Sequence, residues 1–356
     1  MSTLSYLARL LHLTSQYDPS LIVRNIAYFS GSDAHVNHKL DIFLPSSSSP
    51  ESLLSSTNDE TSQKKVPIIV HVHGGGWVRG SRTNEWRGGP SVGRTCAQQG
   101  FVGVVVSYRL ARVSLISFSI WALIFGLILM IISLALLSWQ LFTGYIAFMI
   151  IIYAYNFFYK VRTPVNVDHM VDDLCYALIY IRDHIHEHYP QADPEQIFLS
   201  GHSAGAHLIS LLVLDNSHFQ RHNLSMETIR GVIAMSGIYT LTHPTHDSKY
   251  NFRNLVFRAL YSSNLLYSEG KTILEYSPIE YIKEDENLPP FLVMSARFDM
   301  GLEVDARRFV QRFRQYNYPV EYHIIGGMTT HGTIASKFAT NDAHRHFFTF
   351  IRQHVK

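Results

Sequence analysis

A serine with a glycine two residues before it and another two residues after it, in the run G-H-S-A-G at 201–205, is the clearest candidate for a reactive side chain in this sequence. The run follows an apolar stretch typical of a buried strand, and it opens a stretch with the apolar spacing of a helix, 203–214. A sharp strand-to-helix turn holds a serine hydroxyl above a sheet, and flanking glycines allow the crowded backbone. Since G-x-S-x-G arises by chance in roughly one of ten chains of this length, the hypothesis that Ser203 is a nucleophile depends on its setting and its partners.

A second run, H-G-G-G-W at 73–77, directly follows another apolar strand and lies well upstream of Ser203. Attack of a serine on a carbonyl carbon builds a negative oxygen, which needs preorganised N–H donors. A glycine-rich loop can present backbone N–H groups without obstruction from side chains. We therefore predict that the N–H groups of Gly75, Gly76 and Ala204 form an oxyanion hole. Ala204 lies where a helix begins, and the helix dipole favours an anion there.

A serine is a weak nucleophile without a base, and in this kind of fold an acid and then a histidine follow the serine in the chain. Asp299 is the predicted acid because it comes just after the apolar strand 291–295, at an edge where sites in parallel sheets form. Glu303 and Asp305 are rivals. Asp305 is expected on the solvated face of the helix predicted for 304–316.

His331 is the predicted base, because it stands in a glycine-rich stretch, 326–332, that we expect to be a loop after the strand 320–325. A histidine inside a strand or helix is more often structural. The rivals of that kind are His323, His344 and His346. In the predicted reaction His331 removes the proton of Ser203, Asp299 orients His331, and water later releases the acyl group.

The elements around these residues alternate between fully apolar strands and amphipathic helices, which indicates a mostly parallel sheet covered by helices on both faces. The predicted strands are 26–29, 40–44, 66–72, 102–106, 197–200, 232–235, 291–295 and 320–325. The predicted helices are 91–99, 167–188, 203–214, 304–316 and 343–355. A length of 356 residues suits one large catalytic domain.

The composition excludes several classes of function. A formal net charge of +2 gives no reason to expect nucleic acid as a partner. The two cysteines, Cys96 and Cys175, are too few for a disulfide framework and are typical of a reducing compartment. The 20 histidines are scattered and show no zinc-site spacing, so we expect neither a metal nor a cofactor.

One block, 113–159, contains no charged residue, and it is long enough for roughly two membrane-spanning helices of about 20 residues. A buried core hairpin is the alternative. Because strands of one sheet lie on both sides of the block, a single crossing would divide the domain, so we predict a two-helix membrane hairpin over 112–162. Arginine and lysine flank it at both ends, which favours a cytosolic catalytic domain, with the endoplasmic reticulum as a candidate membrane. The N-glycosylation triplet at 223–225 instead favours a catalytic domain on the non-cytosolic side of the membrane.

The predicted organisation is therefore a single catalytic domain interrupted by the membrane hairpin. The predicted segments are an N-terminal helix at 1–25, the catalytic domain at 26–111 and 163–356, a flexible loop at 46–65, the hairpin at 112–162 and a cap-like insertion at 241–290.

Three motifs resemble the hormone-sensitive-lipase side of the α/β-hydrolase superfamily: H-G-G-G-W at 73–77, S-Y-R-L at 107–110 and G-H-S-A-G-A-H at 201–207. Within it the sequence resembles small carboxylesterases, arylformamidases and prenylcysteine methylesterases, and the resemblance covers about 36–111 and 163–354. It implies an α/β-hydrolase fold, the same triad and oxyanion residues as above, a structural His73 and a substrate pocket lined by Trp77. The segment 112–162 departs from the family, in which a short loop follows S-Y-R-L.

The function expected from all this is a membrane-anchored serine esterase that cleaves apolar or amphiphilic, lipid-like carboxylic esters. An arylformamidase acting on a soluble aromatic amide is the first alternative. A non-catalytic membrane adaptor that uses the same fold is the second. The sequence leaves the acyl group, the leaving group and the oligomeric state open.

Overall fold

An eight-stranded sheet organises the protein. The computed structural model describes residues 17–45, 65–111, 126–133, 139–158, 165–241, 268, 270–284 and 287–356, and for 151–158 it describes the backbone alone. The strands are β1 (Ile22–Ala27), β2 (Lys39–Phe43), β3 (Val66–Val72), β4 (Val102–Val106), β5 (Ala192–His202), β6 (Ile229–Met235), β7 (Phe291–Phe298) and β8 (Val320–Thr330).

The strand order across the sheet is β1-β2-β4-β3-β5-β6-β7-β8. β1 pairs with β2, and β2 with β4, in antiparallel fashion, whereas every neighbouring pair from β4 to β8 is parallel. The carboxyl ends of β3 to β8 therefore meet at one edge, which is where parallel sheets carry their sites. The predicted, mostly parallel sheet is confirmed.

Helices cover both faces of the sheet. The helices with assigned bounds are α1 (Gly89–Gln98), α2 (Trp139–Phe158), α3 (Val167–His188), α4 (Ala204–Leu214), α5 (Ser217–Arg221), α6 (Leu302–Gln315), α7 (Thr333–Ser336) and α8 (Ala343–His354), of which α2 belongs to the uncharged block. Side chains of α1 and α8 belong to one buried apolar cluster, and side chains of α3, α4 and α6 belong to another. Every residue of α4 is buried, which agrees with its continuously apolar sequence.

The N-terminal boundary differs from the prediction. β1 begins at Ile22, inside the segment expected to be helical to residue 25, because residues 22–27 pair with β2 and thereby gain sheet hydrogen bonds. A short 3-10 turn, Pro19–Leu21, precedes it. Residues 1–16 of the predicted helix and 46–64 of the predicted flexible loop lie outside the described residues.

β8 is also longer than predicted, and residues 326–330, expected in a loop, belong to it. Ala296 pairs with Ile325, but Phe298 pairs with Thr330, so β8 contains a bulge of extra residues opposite the end of β7. The bulge includes Gly327 at φ 67°, a conformation that glycine adopts readily. The pairing continues to the residue before His331, which places that histidine at a strand end.

Two described pieces belong to the uncharged block, and the rest of the predicted hairpin at 112–162 lies outside the described residues. Residues 126–133 are helical, as is α2, and a Cβ on Gly126 would lie 2.8 Å from Cε1 of Tyr145, so the two helices pack closely there. Eleven large apolar side chains of these pieces are 37–70% exposed: Leu127, Ile128, Met130, Ile131, Ile132, Trp139, Leu141, Phe142, Ile146, Phe148 and Ile150. Within the described ranges, no helix combines the length and apolar character needed to cross a membrane.

The region predicted as a cap, 241–290, is described only in part. Its described residues form two 3-10 turns, Ile273–Tyr276 and Pro278–Tyr281, and residues 242–267 lie outside the described part of the chain. Three polar groups, Ser268, Lys271 and Tyr276, bond to the carboxylate of Asp168 in the first turn of α3. This clamp fixes the described end of the cap region to the catalytic domain.

Candidate active site

Ser203 occupies a strained turn between β5 and α4. Its φ of 54° and ψ of −117° lie outside the regions that non-glycine residues prefer. Its N–H donates to the carbonyl of Met235 on the neighbouring strand at 2.9 Å, which ties the turn to β6. A Cβ on Gly205 would lie 2.2 Å from the carbonyl oxygen of Val72, so only glycine permits this approach of α4 to β3. The predicted strand-turn-helix setting of Ser203 is present.

The structure brings Ser203, His331 and Asp299 into one hydrogen-bonded series, although 96 and 32 residues separate them along the chain. Nε2 of His331 lies 3.0 Å from Oγ of Ser203, and Nδ1 of His331 lies 2.8 Å from Oδ1 of Asp299. The carboxylate accepts, so Nδ1 carries the hydrogen and Nε2 is left with the lone pair that a general base needs. The arrangement can activate a serine hydroxyl.

Along the hydrogen-bonded series, exposure to solvent rises from the acid, Asp299, to the base, His331. The Asp299 side chain is fully buried, whereas the His331 side chain is 17% exposed. The second oxygen of Asp299 accepts the N–H of Ala296 at 3.2 Å, and this bond orients the carboxylate. Burial strengthens the interaction between the carboxylate and any positive charge that develops on His331.

The rival residues lie elsewhere. Asp305 was expected on a solvated face and this was wrong: it is buried, and its Oδ2 accepts the N–H groups of Tyr239 at 2.8 Å and Thr240 at 3.2 Å. It therefore anchors the loop after β6, because backbone donors at the sheet edge need a buried acceptor. Among the rival bases, His323 stacks on His346 with ring centroids 3.9 Å apart.

The glycine-rich loop lies against the serine. A Cβ on Gly74 would be 3.1 Å from Cβ of Ser203, which shows how closely the loop backbone approaches it. Gly75 and Gly76 have φ values of 137° and 61°, which glycine tolerates and other residues rarely adopt. Ala204 is the first residue of α4, so its N–H has no acceptor within the helix. The glycine-rich loop and the start of α4, which carry the predicted donors, thus both adjoin the serine, and the oxyanion hole itself stays a prediction.

Trp77 is 1% exposed and follows the glycines at φ 62°. Its Nε1–H donates to Nδ1 of His207 at 3.3 Å, and the two rings meet edge to face. Nε2 of His207 lies 2.8 Å from the carbonyl oxygen of Tyr276. A role for Trp77 in lining the substrate pocket stays a prediction. The sequence analysis missed His207, although its place in the run G-H-S-A-G-A-H was a usable signal.

Four buried histidines lie near the site: His71 on β3, His73 directly after β3, His202 on β5 and His207 on α4. Burial lowers the pKa of His71 to about 3 and the pKa values of His73 and His207 to about 4. Burial also lowers the pKa of His202 well below its usual value, with a further contribution from the nearby His331. All four side chains are therefore neutral at physiological pH. Structural roles fit His71 and His73: Nδ1 of His71 lies 3.0 Å from Oγ of Ser200, and the ring of His73 stacks on Tyr108.

A metal centre has no basis in the described residues. Within them, no group of three or more histidine, cysteine, aspartate or glutamate side chains is arranged to hold an ion.

Comparisons with known proteins point to the same architecture. A family model described as alpha/beta hydrolase fold matches residues 149–334, and a second model, BD-FAE, matches residues 57–120. No curated protein matches the chain.

Solved structures similar to this chain include several esterases. Esterase B from Lactobacillus rhamnosis has a TM-score of 0.58 at 14% identity, with 98% of this chain and 90% of that chain covered. Butyrate-bound esterase 2 from Thermogutta terrifontis has a TM-score of 0.51 at 18% identity, with 92% and 90% covered. A putative thioesterase from Silicibacter has a TM-score of 0.53 at 15% identity, with 97% and 89% covered. At these identities the likeness concerns the fold.

Proposed function

The chain belongs to the α/β-hydrolase family, and on that premise we propose that it is a serine hydrolase of carboxylic esters with Ser203 as its nucleophile. The observation that carries the proposal is the series from Ser203 through His331 to Asp299, with contacts of 3.0 Å and 2.8 Å at the carboxyl edge of the sheet. Esterases among the similar structures agree with the predicted ester chemistry.

The first half of the proposed reaction acylates the serine. Nε2 of His331 takes the proton of Ser203 while Oγ attacks the substrate carbonyl carbon. The buried carboxylate of Asp299 stabilises the imidazolium that forms and keeps Nδ1 protonated. The imidazolium then gives its proton to the leaving alcohol oxygen as the carbon–oxygen bond breaks. In the second half, water gives a proton to Nε2 of His331 while its oxygen attacks the acyl carbon. The bond from that carbon to Oγ of Ser203 then breaks, His331 returns the proton to Oγ, and the carboxylic acid leaves.

The negative oxygen of both tetrahedral intermediates needs donors, and the N–H groups of Gly75, Gly76 and Ala204 are proposed for this task. What supports the assignment is the contact of the glycine-rich loop with the serine and the position of Ala204 at the start of α4. One such donor contributes roughly 3 kcal/mol of barrier lowering.

Labelling with a fluorophosphonate probe tests the nucleophile. The probe phosphonylates an activated serine, so the full-length protein is expected to be labelled and Ser203→Ala is expected not to be. Ser217→Ala is the matched control, because this serine is exposed on α5 and lies outside the proposed machinery. A wild-type protein that folds but takes no label would favour the adaptor alternative.

The proposed substrate is an apolar or amphiphilic ester that reaches the site from a membrane. Ala111, the last described residue before the uncharged block, donates its N–H to the carbonyl of Trp77 at 2.8 Å. The block therefore departs beside the glycine-rich loop, at the same edge as Ser203. Exposed apolar area as extensive as that of 126–133 and 139–150 is rare on a soluble monomer. These two observations support a domain held at a membrane by the hairpin 112–162, and the arginine and lysine residues that flank the hairpin favour the cytosolic side.

Deleting residues 114–158 tests the anchor separately from the chemistry. The shortened protein is expected to leave the membrane fraction after an alkaline wash while it still takes the fluorophosphonate label. A shortened protein that stays on the washed membranes would contradict the anchor. An activity screen over acyl esters, formamides and prenylcysteine methyl esters, with the full-length protein in detergent, would identify the leaving group and separate the esterase from an arylformamidase.

A further inference from the structure

We propose that the two histidines that flank the nucleophile, His202 and His207, are positioning residues with separate tasks: His202 holds the base, and His207 holds the glycine-rich loop. The inference rests on the proposed function, since it assigns how that site is kept in order. Each histidine makes one short hydrogen bond to a different part of the site, and each is buried.

His202 is the last residue of β5 and contacts the backbone of the base. Its Nε2 lies 2.7 Å from the carbonyl oxygen of His331. A carbonyl oxygen only accepts, so Nε2 carries the hydrogen and donates it. The N–H of His331 in turn donates to the carbonyl of Phe298 at 3.0 Å. Both the N–H and the carbonyl of His331 are thus held by hydrogen bonds, and the bond to the carbonyl comes from His202, the residue before the nucleophile.

This bond also fixes the tautomer of His202. Its Nδ1 has no hydrogen, lies within 2.7 Å of where a Cβ of Gly74 would be, and has no hydrogen-bond partner among the described residues. A proton on Nδ1 would place a buried positive charge in a ring whose centroid is 5.0 Å from that of His331. Such a charge would oppose the imidazolium that the reaction forms on the base. His202 can therefore hold the base only as a neutral donor.

His207 lies one turn into α4, where its N–H donates to the carbonyl of Ser203 at 3.0 Å. Its side chain contacts Trp77 and Tyr276. Nε2 donates to the carbonyl of Tyr276 at 2.8 Å, which leaves Nδ1 as the acceptor for Nε1–H of Trp77. One imidazole thus joins the nucleophile helix, the cap region and the residue that follows the glycine-rich loop.

The bond to Trp77 matters because of the backbone there. Gly75, Gly76 and Trp77 have consecutive positive φ values of 137°, 61° and 62°. A tryptophan rarely adopts such a conformation, so its surroundings must hold it. The N–H of Ala111 holds the carbonyl of Trp77, and the buried ring with its bond to His207 holds the side chain. Loss of the bond frees Trp77 to relax, and the N–H groups of Gly75 and Gly76 turn with it.

The two tasks predict different kinetic signatures, measured with the full-length protein in detergent on a water-soluble p-nitrophenyl ester. In His202→Leu the base loses its alignment with Asp299, so kcat is expected to fall about 10-fold or more with KM little changed. The acid limb of the pH profile of kcat/KM is expected to move to lower pH, because the carboxylate then stabilises the protonated base less. His202→Gln, which keeps a neutral N–H donor, is expected to recover most of both losses.

In His207→Leu kcat is expected to fall by a similar factor, but the acid limb stays at the wild-type pH, because the base and its acid are untouched. The charged and titratable groups that face His202 or the base are Asp299, His71 and Arg87, and none of them changes in these variants. Trp77→Phe removes the same hydrogen bond from the other side. It is expected to reproduce the loss of His207→Leu, and the double variant is expected to add little to either.

His186→Leu, a change of the same kind on the exposed surface of α3, controls for replacing a histidine. Wild-type kcat and pH limb in His202→Leu would overturn the assignment of His202. An equal shift of the acid limb in His202→Leu and His207→Leu would overturn the division of tasks. Should a leucine variant fail to fold, His202→Phe and His207→Phe, which keep a ring but lack the N–H donor, carry the same comparison, together with Trp77→Phe. A wild-type protein without fluorophosphonate labelling would instead refute the proposed function.

Discussion

Replacing His71 by leucine is expected to make the protein relatively more resistant to acid. His71 is buried on β3, and burial lowers its pKa from 6.5 to about 3. The unfolded chain therefore binds a proton on this side chain below about pH 6.5, whereas the folded chain binds none until about pH 3. Because the unfolded state takes up the extra proton, the wild-type free energy of unfolding falls as the pH drops through this window.

The size of the effect follows from the two pKa values. At pH 5 the proton taken up by His71 favours the unfolded state by about 2 kcal/mol, and at pH 8 it contributes almost nothing. The pH 5 figure hardly depends on the folded pKa, as long as that pKa stays below about 4. Leucine binds no proton, so in the variant this contribution of His71 to the unfolding free energy is absent at every pH. The difference in unfolding free energy between His71→Leu and wild type is thus expected to shift by about 2 kcal/mol in favour of the variant between pH 8 and pH 5.

Urea unfolding of the full-length protein in a mild detergent, followed by tryptophan fluorescence, measures this shift. Comparing the variant with wild type at each pH cancels the other titrating groups, and the loss of the contact with Ser200 affects both pH values alike. His186→Leu, at an exposed position, is the control and is expected to show no shift. A shift below about 0.5 kcal/mol for His71→Leu would refute the reasoning, because it would mean that the folded protein protonates His71 as easily as the unfolded chain does.

Three further predictions test the site and its support. Asp299→Asn is expected to lower kcat by roughly 10⁴-fold with KM little changed, as steady-state kinetics would show, because the amide favours the wrong tautomer of His331. Gly205→Ala is expected to lower kcat/KM about 100-fold or more, since its Cβ would lie 2.2 Å from a carbonyl oxygen of β3, while Gly326→Ala, with open space around its Cβ, should keep wild-type activity. Asp173→Ala is expected to lower the free energy of unfolding by about 3 kcal/mol or more in urea titrations, because it leaves the largely buried side chains of Arg109 and His38 without their shared carboxylate. Retained stability would mean that the carboxylate contributes little.

Much of the fold was predictable because its strands are local patterns. Short, mostly apolar runs such as 66–72 and 102–106 are typical of strands buried on both faces, and the structure gives these two the predicted bounds. Strand ends were less predictable. β5 extends to His202 and β8 to Thr330, since pairing with a neighbouring strand, rather than apolar character, decides where a strand ends.

Charge patterns were a weaker guide than apolar patterns. Asp305 precedes two arginines, Arg307 and Arg308, and was therefore predicted to lie on a solvated helix face. The structure buries it against the backbone after β6. The N–H groups that bond to its carboxylate lie 65 and 66 residues away in the chain. The residues around Asp305 therefore cannot predict such a bond. The N-terminal segment shows the same limit, since β1 exists only because β2 is there to pair with it.

The sequence by itself determined the residues of the candidate site, because their chemistry requires particular side chains at particular places: a serine in a tight turn, glycines before it in the chain, and a late aspartate and histidine at strand ends. Only the tertiary structure decided how these residues meet. The 3.0 Å and 2.8 Å contacts of His331, and the tasks inferred for His202 and His207, depend on hydrogen bonds between segments far apart in the chain. Such bonds exist only after the parallel strands have brought their carboxyl ends to one edge, and that is a property of the packed sheet rather than of any stretch of sequence.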